Sequence, residues 1–443
     1  MSSDRKIVKP KPLSGFPEWL PEQRLVELQW IDTIRRTFEA YGFCNIDPPS
    51  VEDVDVLASK GEDTDKEIYG VRRLGGGEMR DEPKIALHYD LTVPLARYVA
   101  QHFNELSFPF KRYQIQRAWR GERPQEGRFR EFYQCDLDVL DTGEVSLHFD
   151  AELPVIVYEI LRQLRVEPVT MHINNRKVLE GFYTGLGIAD VVGAIRVLDK
   201  LDKVGAGEVT RMLVDDLHIT SDVAGRCVAL ASIRTPDASF EERVREFGVR
   251  SELLDTGIAE LKFVMQAAEA IPAGVVFADL SVARGFDYYT GTVYEGKLSA
   301  FPGYPSVFSG GRYDNLVGGF LRQNLPGVGM SIGLTRIFSK LLAEGKIATG
   351  ACCPTQILVI QLPETPRQKA MQTGRVLRER GFNVEVYHES KKIGHQIRYA
   401  TRKGIRYAWF PDPAKHEVKD LASGEQSAAD PATWEPEKVP GVG

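Results

Sequence analysis

The sequence predicts an α+β fold: a mixed, mostly antiparallel sheet with helices carries a mainly helical insertion and is followed by a small α/β domain. Three observations predict this. Residues 112–140 alternate apolar and polar side chains on either side of a Gly/Pro loop, as the strands of a long hairpin do. Residues 176–268 change to short helical segments with a charged face. Residues 355–411 alternate between strand and helix patterns, which is typical of an α/β domain.

The elements follow from local spacing and turn residues. Before residue 165, we predict a helix over 22–41, strands over 84–89, 112–120 and 128–140, and a helix over 147–164. In the C-terminal part, we predict strands over 355–361, 384–388 and 407–411 and helices over 366–380 and 394–403. A length of 443 residues suggests about three domains. We therefore predict one domain from 1–175 and 268–345, a helical insertion at 176–267, and a third domain at 353–437.

Composition restricts the class of protein. The chain is 43% hydrophobic and 27% charged, as soluble globular proteins are. No apolar run reaches the roughly 20 residues of a membrane helix, and the basic N-terminus lacks the apolar stretch of a signal peptide. The five cysteines include no C-x-x-C pair, so we interpret them as reduced thiols. We expect a cytoplasmic protein with no membrane partner. The scattered histidines do not support a zinc site.

Positive charge is concentrated in two places although the net charge is −6. Residues 367–406 contain eleven Lys and Arg against three acids, and residues 111–130 contain seven against two. An acidic protein with two basic patches suggests a polyanion bound at two defined places. Solvated helix faces would give the same pattern.

The common nucleotide-binding loops are absent from the sequence. It contains no G-x-x-x-x-G-K-[ST], and the run at 327–333 has the wrong spacing for G-x-G-x-x-G. A nucleotide would therefore be held by side-chain cations. The hairpin at 112–140 supplies them together with a carboxylate and an aromatic ring: Arg120, Glu122, Arg123, Arg128, Arg130 and Phe132. Guanidinium groups match phosphate oxygens, and a ring can stack on a base. An exposed Arg-rich hairpin without a ligand is the alternative.

Two Gly-containing clusters and three acids are further candidates. The clusters are RGFDYY at 284–289 and SGGRYD at 309–314. An arginine beside a glycine can face a ligand that approaches the backbone closely, although core packing and a simple turn would explain these clusters equally well. The acids lie in apolar strand contexts, where Asp136 and Asp138 share a strand face and Asp90 precedes Thr92. Buried carboxylates need a charged partner, and a ligand ammonium group beside Gln134 would supply one.

Together these motifs resemble those of the histidyl-tRNA synthetases, a family of class II aminoacyl-tRNA synthetases, over nearly the whole chain. RGERPQ-x-GRFREF at 120–132 resembles motif 2, and Gly333 to Arg336 resembles motif 3. Residues 41–49 resemble motif 1. RGFDYY and GGRYD are similar to the two histidine-specific motifs, and residues 418–426 resemble part of the family's anticodon-binding domain.

The resemblance implies ligation of histidine to tRNA(His) through a histidyl-adenylate, with ATP and Mg²⁺ as cofactors and a class II catalytic domain. It implies that Arg284 and Arg120 are catalytic. The ATP-binding residues would be Arg120, Glu122, Arg128, Phe132 and Arg336. The histidine-binding residues would be Asp90, Thr92, Gln134, Asp138, Arg284, Tyr288, Tyr289 and Gly310. Arg123 and Gln125 would meet the tRNA acceptor end. The resemblance also implies a homodimer built around motif 1.

The chain departs from the family pattern at four positions. Asp90 and Asp138 stand where glutamate is common, Thr335 replaces a common glutamate, and Gly121 replaces a common histidine. We therefore expect the contacts to the histidine amino group and to adenine to differ in distance from those usual in the family. Two other functions are compatible with parts of the sequence. One is a catalytically silent, histidine-sensing regulatory subunit, which would be expected to lose the C-terminal domain and the motif arginines that this chain keeps. The other is a nonenzymatic RNA-binding protein, which does not explain RGFDYY or GGRYD.

Overall fold

The structure is a computed structural model that describes residues 9–57, 67–73, 82–166, 168–283, 289–314, 320, 324–412 and 415–436. The chain forms two compact units. The larger unit takes its described residues from Met1–Pro17 and Trp30–Glu344, and the smaller takes them from Glu18–Gln29 and Gly345–Gly443. None of the helices in the described ranges is long and apolar enough to cross a membrane.

The first hundred residues confirm the long helix and add a small sheet. Helix α1 (Pro21–Ala40) buries Ile34 and Phe38, as its spacing predicts, and ends before Gly42. The elements that follow are β1 (Cys44–Asn45), β2 (Val51–Asp53), α2 (Val54–Leu57), β3 (Tyr69–Val71), β4 (Ile85–Leu87) and α3 (Thr92–Gln101). Strand β4 lies between β2 and β3 and is antiparallel to both.

The predicted hairpin lies within a large sheet. It consists of β5 (Phe110–Trp119) and β6 (Glu131–Leu140), which pair in register along their whole length. The remaining new strands are β7 (Val169–Asn175), β8 (Arg234–Thr235), β9 (Val276–Asp279), β10 (Thr292–Leu298), β11 (Phe308–Tyr313) and β12 (Gly327–Ile332). Among the described residues, nine strands pair in the order β1-β5-β6-β12-β11-β10-β7-β9-β8. All pairs are antiparallel except β1–β5 and β7–β9.

Helix α4 (Leu147–Gln163) packs against β12 of this sheet and confirms the predicted helix over 147–164. The helix begins after Ser146, whose hydroxyl accepts the amide of His148 at 3.3 Å. Its Asp150 is fully buried and forms an ion pair with Arg312 of β11. The hydroxyl of Tyr294 in β10 donates to the Asp150 carbonyl at 2.7 Å, so α4 is fixed to the central strands by polar contacts as well as apolar packing.

Between β7 and β9 the chain is mainly helical. The helices are α5 (Arg176–Gly185), α6 (Val191–Leu198), α7 (Leu201–Val204), α8 (Ala206–Asp215), α9 (Ser221–Ala231), α10 (Phe240–Arg245) and α11 (Glu252–Ala267). Side chains of Asn175, Asp190, Thr220 and Ser251 cap four of them at the N-terminus. After β12 the larger unit ends with α12 (Leu334–Ala343). The exact boundaries of the insertion stay a prediction.

The smaller unit contains the predicted α/β pattern. Its elements are β13 (Ile357–Val359), α13 (Arg367–Glu379), β14 (Val384–Val386), α14 (Ile393–Lys403), β15 (Tyr407–Pro411), β16 (His416–Asp420) and β17 (Gln426–Ala428). The sheet order is β14-β13-β15-β16-β17, and the first three of these strands are parallel. Trp409 is fully buried at the centre. The last two strands were not predicted, because β16 is only partly buried and β17 is exposed.

Candidate functional site

The hairpin and the middle of the large sheet enclose a cleft of about 550 Å³, counting the part that is open to solvent. This is the size of a small-molecule site. Arg120 and Glu122 reach it from the hairpin loop, Phe132 and Gln134 from β6, and Arg336 from α12. The other described lining residues are Gly127, Phe129, Tyr133, Ser306, Val307, Phe308, Ser309, Ser331 and Gly333. Four of the five predicted ATP-binding residues thus surround one cleft.

Arg120 is held at the end of β5 by its backbone and its side chain. Its amide donates to the Arg130 carbonyl at 3.0 Å, and its Nε donates to the Tyr89 carbonyl at 3.1 Å. The guanidinium carbon lies 5.1 Å from the centre of the Phe132 ring. A cation therefore stands over an aromatic ring at the cleft, and the two can meet a phosphate and a base.

Glu122 connects the cleft to the fifth predicted ATP-binding residue. Its Oε2 pairs with Arg128 Nη1 at 3.1 Å, and Arg130 Nε donates to its carbonyl at 3.2 Å. Arg128 does not line the cleft and has a half-exposed side chain. Because the exposed pair contributes little to stability, Arg128 can exchange Glu122 for a phosphate at small cost.

Arg336, in the first turn of α12, also lines the cleft. Its Nε donates to the Gly127 carbonyl at 2.6 Å, its Nη1 donates to the Ser306 carbonyl, and its own carbonyl accepts the Tyr304 hydroxyl at 2.9 Å. Burial, and then the positive charge of Arg120, lowers the pKa of Arg336. Two guanidinium groups that line one cleft and repel each other favour the binding of a polyanion there.

Acidic side chains lie further along the β6 face. Asp138 is 5% exposed, and both its oxygens are engaged: Oδ2 pairs with Arg112 Nη2 at 2.7 Å, and Oδ1 accepts the Tyr313 hydroxyl at 2.9 Å. Asp136 is 3% exposed, and its Oδ1 finds no hydrogen-bond partner among the described residues. Burial, opposed by the charge of Arg112, raises the pKa of Asp136 to about 7.

Tyr289 shows that these acids converge. Burial raises its pKa, and the negative charges of Asp138, Asp136 and Asp90 raise it further. Asp90 itself lies just before α3, where its Oδ1 accepts the Val93 amide at 3.0 Å. Three carboxylates around one tyrosine make this end of the site electronegative, which suits a cationic group of a ligand.

Two further residues that the sequence assigns to histidine binding are Thr92 and Gly310, which lie in α3 and β11. Thr92 is the half-buried first residue of α3. Gly310 lies in β11, where a Cβ atom would stand 2.1 Å from the Gly329 carbonyl oxygen. Any side chain at residue 310 would therefore push β11 away from β12.

Not every predicted site residue lies at the cleft. Arg123 and Gln125 are exposed in the hairpin loop, where the Arg128 amide donates to the Gln125 carbonyl at 2.9 Å. They do not line the cleft, which leaves them accessible to a large partner. Arg284 and Tyr288 lie outside the described residues.

Two departures from the family pattern have local explanations. A Cβ atom on Gly121 would lie 3.2 Å from the Glu67 carbonyl oxygen, to which the Gly121 amide donates at 2.7 Å, so a large side chain does not fit without a shift. Thr335 is buried, and its Oγ1 accepts the Tyr133 amide at 2.8 Å. The Thr335 hydroxyl therefore supplies an acceptor for a backbone amide of β6 next to the cleft.

Sequence reasoning missed Arg112, Tyr304 and Ser331. Arg112 is fully buried in a strand, and its role depends on the register that places it opposite Asp138. Ser331 belongs to a Gly-rich run whose spacing excludes the common phosphate loop and indicates no role for its side chains. Ser331 lies opposite Asp136 because of the pairing of β12 with β6, and the local sequence spacing does not predict that pairing.

Comparisons with known proteins agree with the geometry. The family model "Histidyl-tRNA synthetase" matches residues 15–337, and the model "Anticodon binding domain" matches residues 356–432. The chain is 55% identical over 436 residues to a histidine–tRNA ligase of Thermobifida fusca, with 98% of this chain and 99% of that protein covered.

Solved structures show the same similarity. A crystal structure of histidyl-tRNA synthetase from Nostoc sp. PCC 7120 is 37% identical, with a TM-score of 0.86, and the match covers 96% of this chain and 97% of that one. A Bacillus halodurans structure described as an ATP phosphoribosyltransferase regulatory subunit/histidyl-tRNA synthetase shares the fold at 18% identity, with a TM-score of 0.73 and coverage of 89% and 97%.

Proposed function

Since the chain belongs to the histidyl-tRNA synthetase family, we propose that its cleft activates histidine with ATP and passes the histidyl group to tRNA(His). The ligation of histidine to tRNA follows from the family and from the matched anticodon-binding domain. The observation that carries the cleft assignment is the convergence of Arg120, Phe132 and Arg336 with the Gln134 edge of the acidic region. It provides adjoining places for a nucleotide and an amino acid.

ATP would lie between Phe132 and Arg336. The Phe132 ring would stack on adenine, Arg336 would cover its other face, and Glu122 would accept a hydrogen bond from the adenine amine. Arg120 would contact the α-phosphate, and Arg128 would move from Glu122 toward the phosphates. The mutual repulsion of Arg120 and Arg336 supports this placement, since the nucleotide's negative charge relieves it.

Histidine would lie in the electronegative region next to the nucleotide. Its ammonium group would face the side chains that the family pattern assigns to it: Asp90, Thr92, Gln134 and Asp138. Tyr288, Tyr289 and the strand at Gly310 would shape the imidazole pocket. The substrate carboxylate would then point toward Arg120, at the boundary between the two halves of the cleft.

The reaction needs no protein nucleophile. A carboxylate oxygen of histidine attacks the α-phosphorus of ATP, the bond from the α-phosphorus to the α,β-bridging oxygen breaks, and pyrophosphate leaves with that oxygen. A ribose hydroxyl at the tRNA 3′ end then attacks the histidyl carbonyl, and AMP leaves. Arg120 and Arg284 would stabilise the charge on the α-phosphate, and alignment of the reactants would supply much of the rate.

Mg²⁺ would arrive with the nucleotide as part of the substrate. Among the described residues, no group of three or more His, Cys, Asp or Glu side chains could hold a metal ion. The β- and γ-phosphates of ATP would be its ligands, since magnesium in proteins is commonly bound through substrate phosphates. Its chemistry would be to neutralise the pyrophosphate.

The tRNA would contact both units. The basic residues of α13 and α14 belong to the matched anticodon-binding domain and would contact phosphates. Arg123 and Gln125 would meet the acceptor end at the exposed hairpin loop, and the helical insertion would hold the acceptor stem. We further propose a cytoplasmic homodimer joined around residues 41–49, consistent with five free cysteines in the chain.

The regulatory alternative is less supported. The related Bacillus halodurans fold is only 18% identical, whereas histidine–tRNA ligases are similar to this chain over nearly its full length. Charging of tRNA(His) with labelled histidine tests the proposal directly. Charging that requires ATP and is abolished in Arg120→Ala supports it. A folded protein that binds histidine yet never charges tRNA would be a sensor instead.

A further inference from the structure

A short described segment, residues 279–283, leads from the end of β9 to the RGFDYY motif, and the next residue in the chain is Arg284. Its backbone is held by its own first residue. Oδ1 of Asp279 accepts the amide and the hydroxyl of Ser281 at 3.1 and 2.6 Å, and the Asp279 carbonyl accepts the Val282 amide at 3.2 Å. The course of the chain toward Arg284 therefore depends on how the Asp279 side chain is placed.

The Asp279 carboxylate is placed by a buried histidine of the neighbouring strand β7. His172 is 2% exposed and Asp279 is 7% exposed, and the ring Nδ1 lies 2.7 Å from Asp279 Oδ2. Burial raises the pKa of Asp279, but the hydrogen bonds from His172 and Ser281 help to lower it by more, and the net pKa lies below its ordinary value. The carboxylate is thus ionised and can only accept, so His172 Nδ1 carries the proton and donates it.

Arg234 completes this arrangement from the helical insertion. It lies in β8, directly opposite Asp279 in the register of β8 and β9. Its Nη2 lies 3.0 Å from His172 Nε2, where the Thr170 hydroxyl also approaches to 3.2 Å, and its guanidinium carbon lies 4.6 Å from the centre of the Phe277 ring. A guanidinium group only donates, so Nε2 accepts. His172 is therefore a neutral ring that donates to Asp279 and accepts from Arg234.

Asn174, two residues further along β7, holds the same segment directly. It is fully buried, and its side-chain amide donates to the carbonyls of Leu280 at 3.4 Å and Val282 at 2.8 Å. Apolar side chains serve a purely structural contact in a protein interior as well as charged and polar ones do. Two buried polar side chains of one strand that both act on the chain before Arg284 therefore indicate that its exact course matters.

From this we infer that His172, oriented by Arg234, is a positioning residue for adenylate formation, because it sets through Asp279 the segment that Arg284 follows in the chain. The inference rests on the proposed function, in which Arg284 stabilises charge on the α-phosphate, and such a group acts only when it is accurately placed. The family resemblance assigns no role to these three side chains. His172 is not among the described residues that line the cleft, so it acts through others.

The test measures histidyl-adenylate formation in a single turnover without tRNA, with the full chain in excess over labelled ATP and at varied histidine. His172→Phe keeps a ring next to Phe277 but removes both nitrogens, and His172→Asn keeps a donor for Asp279 but no acceptor for Arg234. Arg234→Met removes that donor. Arg211→Met is the matched control, because Arg211 is an exposed arginine of the same insertion that pairs with acids of its own helix α8.

We expect a loss in the maximal rate and not in the binding of histidine. His172→Phe should lower the maximal rate about 30-fold and Arg234→Met about fivefold, because misplacing a reacting group by about 1 Å can cost about 100-fold. His172→Asn should match Arg234→Met, since each breaks only the contact between these two residues. The histidine concentration at half the maximal rate should stay within about twofold in every variant, and Arg211→Met should equal the wild type.

A double-mutant cycle separates positioning from a structural role. If His172 acts through Arg284, His172→Phe should cause no further loss of rate in Arg284→Ala, and Arg234→Met should behave in the same way. Equal losses with and without Arg284 would overturn the inference, and so would wild-type rates in the folded variants. If His172→Phe does not fold, the cycle of Arg234→Met decides. A wild-type protein that forms no adenylate would instead contradict the proposed function itself.

Discussion

The N-terminal turn around Gly15 fixes the hairpin that carries Arg120. The Gly15 carbonyl accepts the amides of Arg130 at 2.7 Å and Glu131 at 3.2 Å, and the Arg130 carbonyl accepts the Arg120 amide at 3.0 Å. Gly15 has φ of +84°, and a Cβ atom there would lie 2.9 Å from Pro124 and 3.0 Å from Arg130. Gly15→Ala should therefore displace the hairpin as well as strain the turn.

The size of the effect follows from two contributions. A left-handed backbone costs alanine about 1–2 kcal/mol, and crowding of this kind adds about 1–3 kcal/mol. Gly143→Ala is the matched control, because Gly143 has φ of +92° but no heavy atom of the described residues lies within 4 Å of its added Cβ. It should lose only the backbone contribution. The difference between the two variants in urea unfolding thus isolates the contact of Gly15 with the hairpin.

The assay measures the rate of pyrophosphate exchange at varied ATP concentration, which gives the KM for ATP. Gly15→Ala should raise the KM for ATP about tenfold, since Arg120 and Glu122 move with the hairpin. Gly143→Ala should leave this KM unchanged while lowering the free energy of unfolding by about 1–2 kcal/mol. The reasoning is refuted if both variants keep the wild-type KM for ATP, because the turn would then only stabilise the fold.

Three further predictions concern charge. Arg312→Met leaves Asp150 buried without its partner, so the free energy of unfolding in urea should fall by about 3–5 kcal/mol, and a loss under 1 kcal/mol would contradict this. Because burial raises the folded-state pKa of Asp136 to about 7, the contribution of Asp136 to stability falls as the pH rises from about 4 to 7; Asp136→Asn, without ligand, should gain more in Tm at pH 8 than at pH 5.5, and equal gains would contradict this. Affinity for tRNA in filter binding should fall about 10³-fold between 50 and 200 mM salt if six phosphates are contacted, and a flat response would exclude phosphate contacts by the basic helices.

Local patterns predicted the elements that bury one clear face. Helix α1, the hairpin and α4 follow spacing that the sequence displays, and the structure confirms them within a few residues. Strands β16 and β17 escaped prediction because partly exposed strands lack that pattern. The order of the nine strands depends on pairings between distant segments, so no window of the sequence contains it.

Some residues of the site could likewise be predicted from local sequence, and others could not. Arg120, Glu122 and Phe132 lie within thirteen residues on one hairpin, so their proximity could be predicted from the sequence. Arg336 is distant in the sequence, and only the resemblance of residues 333–336 to motif 3 predicted that it belongs to the same site. The roles of Arg112 and Ser331 could not be predicted, because each depends on which residue lies opposite in a neighbouring strand. The engagement of both Asp138 oxygens is likewise a property of packing.

The central claim is that this cleft activates histidine with ATP before any tRNA takes part. Exchange of labelled pyrophosphate into ATP, run without tRNA and with each of the twenty amino acids in turn, measures this most directly. The account predicts exchange with histidine and with no other amino acid. Absence of exchange, in folded protein that still binds histidine, would contradict it and would favour a histidine-sensing protein that keeps the motifs without the chemistry.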